Sequence, residues 1–366
     1  MKTLLLSLVL CFLAHAQSGG ISEVLGPIDE NLIVAHYQSL KIYNKDLSLI
    51  KEIVKMDPIL EIATGPRITI EKNLILMTAV NKVYVLDKNG NELSSAQVKL
   101  GRIESPAVKL QDGRFAIVSD YSLFGGSSVY ITFFKLTGSK IKADGHIRIK
   151  NMVSTTTHLK DVILESGDFF YFINGRGELI QVSKRGKVKN LTEAMGYINS
   201  TIAQTKDGKI VFTLQEKPGK LFYYSQGKIL STDLPFSVNQ FENDIQILGL
   251  PDKIFIQASG SLALFDSNLN FIKSVDLTPI IHRSMIIQAK IMNPNLLSLV
   301  VFGFYQVRTT EEQVQGILLY DFDLNLQHNL LKSDGSFTPI DAGTISSEGI
   351  LYAGDHKGVV QSLKLN

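Results

Sequence analysis

Residues that could carry chemistry are present in this chain, but few stand at the spacing that chemistry requires. Its seven histidines show no H-E-x-x-H or other paired spacing of metal ligands, and no G-x-S-x-G elbow presents a nucleophilic serine. Asp321-Phe-Asp323-Leu-Asn325 resembles the start of a calcium loop but lacks the glycine and glutamate that complete one. Asp and Asn are also typical of tight turns. We therefore expect no catalytic residue, no metal and no cofactor.

Two irregular segments have the composition of a binding surface. One is 121–128 (YSLFGGSS), with Tyr121 and Phe124, and the other is 305–315 (YQVRTTEEQVQ), with Tyr305 and Arg308. Arg176 lies in a further loop. Aromatic and arginine side chains carry much of the energy at protein interfaces. We predict that these five residues contact a protein or peptide partner.

A repeated unit of short strands must position these segments. In each unit a tight turn precedes an apolar run, and the turns fall at Glu30, Lys72, Asp112, Ser166, Asp207, Asp252, Pro294 and Glu348. Successive turns are 40 to 54 residues apart, which is typical of β-propeller blades, and the 3.6-residue periodicity of helical repeats is missing. The sequence predicts an all-β fold: a single β-propeller of eight, alternatively seven, four-stranded antiparallel blades.

The blade geometry gives both irregular segments the same orientation. In such a blade the first-to-second and third-to-fourth turns lie on one face of the propeller, and the second-to-third loops lie on the other. Both segments are predicted as loops between second and third strands, in units three and seven, so they project from one face on opposite sides of an eight-unit ring. Unit eight stops after its third strand. Residues 17–30 can cover that edge or form the inner strand of unit one, but hardly both.

The N-terminal residues resemble a secretion signal. Lys2 gives a basic start, Leu4–Leu13 is apolar but too short to span a bilayer, and Ala14-His15-Ala16 matches a cleavage motif. A lipid anchor on Cys11 is disfavoured because leucine precedes it where a small residue is expected. We predict a signal peptide over 1–16, a propeller domain over 17–366, and a secreted or periplasmic protein that is cleaved after Ala16.

Composition narrows the classes of partner. The formal net charge is +2, which does not indicate binding to nucleic acid or to an anionic membrane surface. No second apolar stretch is long enough to cross a membrane. The chain has no tryptophan, and its one cysteine lies in the predicted signal. The mature domain therefore forms no internal disulfide and depends on its core for stability. We expect a monomer.

The strand–turn–strand pattern resembles the PQQ-like (quinoprotein) β-propeller superfamily. The pattern is clearest in 104–120 (ESPAVKLQDGRFAIVSD) and in 338–365. Enzymes of that superfamily carry tryptophan docking motifs, and many hold the cofactor on a vicinal disulfide. The mature domain of this chain has neither tryptophan nor cysteine, so the resemblance implies the non-catalytic branch. That branch includes a periplasmic propeller that helps assemble outer-membrane proteins. It favours a protein- or peptide-binding scaffold; the alternative is an oxidoreductase or hydrolase with a cofactor or metal in the central funnel.

Overall fold

A computed structural model describes most of the chain. The described residues are 21–36, 39–54, 67–79, 81–99, 101–103, 105–123, 126–150, 164–173, 179–192, 198–238, 245–258, 260–280, 283–293, 295–307, 310–355 and 357–365. These ranges contain strands and turns and no α-helix, so none of them supplies a helix that could span a membrane.

The strands form eight antiparallel sheets in chain order, arranged as the blades of a β-propeller, which confirms the predicted fold class and the count of eight. Blades 1 and 2 comprise β1 (Ile21–Ile28), β2 (Asn31–His36), β3 (Leu40–Tyr43) and β4 (Leu49–Ile53), then β5 (Arg67–Glu71), β6 (Leu74–Ala79), β7 (Lys82–Leu86) and β8 (Glu92–Gln97). Blades 3 and 4 comprise β9 (Arg102–Ile103), β10 (Val108–Lys109), β11 (Phe115–Leu123), β12 (Gly126–Thr137) and β13 (Lys140–Lys150), then β14 (Leu164–Ser166), β15 (Phe169–Ile173), β16 (Leu179–Ser183) and β17 (Val188–Asn190).

The second half of the chain repeats this organisation. Blades 5 and 6 comprise β18 (Ala203–Gln204), β19 (Ile210–Thr213), β20 (Lys220–Ser225) and β21 (Lys228–Asp233), then β22 (Gln246–Gly249), β23 (Lys253–Ala258), β24 (Ser261–Asp266) and β25 (Phe271–Asp276). Blades 7 and 8 comprise β26 (Arg283–Asn293), β27 (Leu296–Val307), β28 (Thr310–Asp321) and β29 (Leu326–Lys332), then β30 (Thr344–Ile345), β31 (Ile350–Gly354) and β32 (Val360–Lys364). Blade 3 has β9 as a fifth strand, paired with β11, and blade 8 has three strands among the described residues.

The N-terminal strand takes the inner position of blade 1. β1 pairs with β2 along most of its length, with Val24 opposite Val34. Of the two roles open to residues 17–30, the structure therefore places 21–28 in blade 1. Residues 17–20, like the predicted signal peptide, lie outside the described residues.

The core lies between neighbouring blades. Second strands such as β23 are buried at almost every position, because both of their faces pack against adjacent blades, whereas the outer strand β25 alternates between exposed and half-buried. One cluster joins Leu76 and Val85 of blade 2 to Phe115 and Phe134 of blade 3. Equivalent clusters join the other pairs, so the apolar runs of the sequence become contacts between blades rather than one central core.

The two segments predicted as loops are paired strands. Tyr121 pairs with Ser128 at the end of the β11–β12 ladder, and Tyr305 pairs with Glu312 at the end of the β27–β28 ladder. The prediction of loops was wrong because β-branched residues such as Val307 and Thr310 continue the strand register. At about 3.3 Å per residue, the 12-residue β28 spans about 40 Å and the 6-residue β23 about 20 Å. We call the ends of these two ladders, 121–128 and 305–312, the raised hairpins.

A five-residue turn recurs between third and fourth strands. In Asp266–Asn270 the Asp266 carboxylate accepts backbone hydrogen bonds from Asn268 and Asn270, both at 2.8 Å. Asp321 makes the same two bonds with Asp323 and Asn325 at 2.9 and 2.8 Å. The stretch that resembles a calcium loop is therefore a turn, as its composition also indicated. Partial burial acts to raise the pKa of Asp321, but the hydrogen bonds from Asn325 and Asp323 lower it overall.

Candidate functional site

The raised hairpins project from the face where second strands end and third strands begin, which we call the hairpin face. They belong to blades 3 and 7, four positions apart in a ring of eight, and therefore stand on opposite sides of the axis. Tyr121 lies in β11 and Tyr305 in β27, one in each raised hairpin. Phe124, Arg176 and Arg308 lie outside the described residues, and the predicted partner contacts of all five residues stay predictions.

The course of the backbone places other arginine positions on the same face. Inner strands run away from the hairpin face, so their first residues lie on it. Arg67 begins β5, Arg283 begins β26, and Arg102 begins β9, which pairs with the end of β11. The backbone therefore places three arginine positions on the hairpin face.

Buried side chains hold the strand ends on this face in place. Ser105 Oγ accepts a hydrogen bond from the amide of Val118 at 2.8 Å, and Ser200 Oγ accepts one from Thr213 at 2.9 Å. Asp341 accepts one from Gly354 at the matching place in blade 8. The acceptor precedes the donor by thirteen residues in all three blades. In these three blades the bonds tie the segment before the inner strand to the second strand on the hairpin face.

The ring closes between blade 8 and the N-terminal strand. The buried Asp341 carboxylate also accepts hydrogen bonds from the amides of Val24 and Gly343, each at 3.0 Å. Lys290 Nζ lies 3.6 Å from the Glu23 carboxylate and 3.3 Å from the Gly343 carbonyl. Burial raises the pKa of Asp341, while the three amides and Lys290 act in the opposite direction. We call these contacts the closure seam.

One cluster of described side chains was not predicted from the sequence. Arg148 on β13 pairs with Tyr130 on β12, and its guanidinium carbon lies 5.7 Å from the centre of the Tyr130 ring. Arg148 Nε and Nη2 donate to Ser128 Oγ at 3.2 and 3.1 Å. The His146 ring centre is 6.0 Å from that of Tyr130. The available signal was the alternation of His146, Arg148 and Lys150, which places three basic residues on one face of a strand.

Within the described ranges, no group of three or more His, Cys, Asp or Glu residues is arranged to hold a metal ion. Each histidine that the structure describes therefore lies outside any such group. The arrangement offers a face with two raised hairpins and an exposed arginine that Ser128 and Tyr130 hold in position.

Comparison with known proteins supports the fold. The chain is similar to a solved structure described as the Dos1 propeller, with a TM-score of 0.57 and 14% sequence identity, covering 95% of this chain and 93% of that one. A Neurospora crassa Pan2 WD40 domain gives 0.47 with 10% identity over 78% and 87% of the two chains, and Saccharomyces cerevisiae Sqt1 gives 0.42 with 10% identity over 78% and 94%. No protein-family model matches the chain, and neither does any curated protein sequence.

Proposed function

We propose that this protein is a scaffold that binds a protein or peptide partner on its hairpin face, between the raised hairpins. The observation that carries the proposal is their placement: two departures from the blade period, both on one face and on opposite sides of the axis. A partner seated over the central opening could contact both. Binding residues are concentrated on segments that vary on a rigid scaffold.

The contacts follow from the residue types. Tyr121, Phe124 and Tyr305 are proposed as apolar anchors, with Arg176 and Arg308 as polar contacts, since aromatic and arginine residues dominate interface energetics. The enzyme alternative has no described cluster of metal ligands to support it. We further propose descent from the non-catalytic branch of PQQ-like propellers, supported by the recurring turn and strand pattern.

Shortening both raised hairpins tests the proposal. Ser122–Ser127 and Gln306–Glu311 would each be replaced by Gly-Ser, which closes a two-residue hairpin on the pairs Tyr121–Ser128 and Tyr305–Glu312. The same variant carries Tyr121→Thr and Tyr305→Thr, which remove the two aromatic anchors and keep the strand pairing of Ser128. We expect capture of the native partner from an envelope or medium fraction to fall at least tenfold, while the melting temperature changes by no more than a few degrees. A control variant that replaces Gly113 by Gly-Ser-Gly on the opposite face should capture normally. Unchanged capture by a stable double variant would overturn the proposal.

We also propose that the protein is secreted or periplasmic and begins at Gln17 after cleavage. The support is the Lys2 start, the short apolar segment and the Ala14-His15-Ala16 motif. Mass analysis of the protein from its native host should give Gln17 as the first residue. A lipid-modified Cys11 at that position would contradict the cleavage site.

A further inference from the structure

Arg148 stands out among the described side chains because it is both exposed and fixed. Two of its nitrogens donate to the buried Ser128 hydroxyl, and its guanidinium lies against the face of the buried Tyr130 ring. A cation over an aromatic ring is held by the electrostatic attraction of the ring face. Within the described part of the chain, the arginine ion pairs are those of Arg114 with Asp112 and Asp144, and Arg148 forms none. Among the residues that the structure describes, the guanidinium is therefore positioned without a counter-ion.

A second basic side chain is exposed beside Arg148. His146 and Arg148 are exposed at alternate positions of β13, opposite Thr132 and Tyr130 of β12. Below them Ser94 of β8 bonds to the Ser139–Ile141 segment, so the neighbouring outer strand covers the lower part of β13. β8 ends at Gln97 while β13 continues to Lys150, and the amide of Lys99, just after β8, donates to Thr132 Oγ1 at 3.2 Å. We call Ser128, Tyr130, His146 and Arg148 the basic patch.

We propose that the basic patch binds a carboxylate of an acidic segment in the partner protein. This deepens the proposed function and rests on it, because the patch lies directly below the raised hairpin of blade 3. A guanidinium presents paired N–H donors that match the two oxygens of a carboxylate. The ring and Ser128 hold the guanidinium in one orientation, so binding costs little side-chain entropy.

The extent of the patch favours an acidic protein segment over nucleic acid. One arginine and one histidine on one strand fit one or two carboxylates, whereas nucleic-acid affinity depends on neutralising many phosphates along a charged track. The net charge of +2 does not supply such a track. A short acidic stretch that continues from a body seated between the raised hairpins fits the geometry.

A labelled octaglutamate peptide and a matched octaglutamine peptide test the chemistry by fluorescence anisotropy at low salt. We expect the Glu peptide to bind and the Gln peptide not to bind. Arg148→Gln should weaken Glu-peptide binding about tenfold, and Arg148→Lys should restore only part of it because the fork and the stacking are lost. Ser128→Ala should weaken it about threefold by releasing the guanidinium. Lys142→Gln, an exposed cation on the other face of the same strand, should stay within twofold of the wild type.

Equal effects of Arg148→Gln and Lys142→Gln, or equal binding of both peptides, would overturn the proposal that the basic patch binds a carboxylate. A 12-nucleotide single-stranded DNA that binds more tightly than the Glu peptide, in a manner that depends on Arg148, would also overturn it. The variant with both raised hairpins shortened keeps Ser128 and Arg148, so it separates the two proposals. If it captures the native partner normally, the proposed function fails, whatever the Glu peptide does. If Arg148→Gln leaves Glu-peptide binding intact, only the basic patch fails.

Discussion

Replacing Asp341 with alanine should loosen the closure of the ring at one defined strand. The carboxylate accepts three backbone hydrogen bonds, but only the one from Val24 crosses the closure seam. A buried backbone amide that loses its acceptor costs about 1–3 kcal/mol. Losing the seam bond should lower the free energy of opening β1 by about 2 kcal/mol, which corresponds to about 30-fold faster amide exchange.

Hydrogen exchange followed by mass spectrometry measures this directly. Peptides that cover β1 should exchange faster in Asp341→Ala, while peptides of β18 and β19 in blade 5 should be unchanged. Asp355→Ala is the matched control, because this buried aspartate accepts bonds from Lys357 and Val359 within its own blade. It should destabilise blade 8 without affecting β1. The role of Asp341 in holding β1 would be refuted if β1 exchange were unchanged in Asp341→Ala, or if Asp355→Ala opened β1 equally.

Three further predictions concern stability. Gly90→Ala should lower the free energy of unfolding in urea by about 2–3 kcal/mol, because φ is +78° and a Cβ would lie 2.7 Å from Ile42 Cδ1. Gly113→Ala is the matched control: φ is +82° but nothing lies within 4 Å of the added Cβ, so the loss should be about 1 kcal/mol. Burial raises the pKa of Tyr320 to about 12 from 10.0. The unfolded chain therefore ionises this tyrosine first, and the free energy of unfolding falls as pH rises from about 10 to about 12. Tyr320→Phe should make that fall less steep. Burial acts to raise the pKa of Asp321, but its hydrogen bonds lower it overall. Its stabilisation is therefore present above the unfolded pKa near 3.8 and lost as pH falls through the folded value. The difference in urea midpoint between wild type and Asp321→Asn should shrink from pH 6 to pH 3, and a constant difference would contradict this.

Much of the fold could be predicted because local sequence determines where strands begin and end. The predicted second strands 31–36 and 169–173 match β2 and β15, since turn residues bound each β-rich run. The choice between two roles for 17–30 could not be made locally. It depends on Asp341, which lies 317 residues from Val24 in the chain and binds its amide.

The candidate site was predicted only in part. The position of the raised hairpins followed from the repeat, but their paired structure did not, because the Gly125-Gly126 pair and the polar stretch after Arg308 are typical of loops. Arg148 was missed because its partners are Ser128 and Tyr130, twenty and eighteen residues earlier. Only the register that places Tyr130 opposite Arg148 brings them together.

Site-specific photocrosslinking tests the central claim most directly. A photoreactive residue would replace Ser122 in the raised hairpin of blade 3, Gln306 in that of blade 7, and Ser267 in a turn on the opposite face. If the partner spans the opening, both hairpin positions should crosslink to the same protein, and Ser267 should give no product. Crosslinks from Ser267 alone, or from the two hairpins to different proteins, would contradict the account.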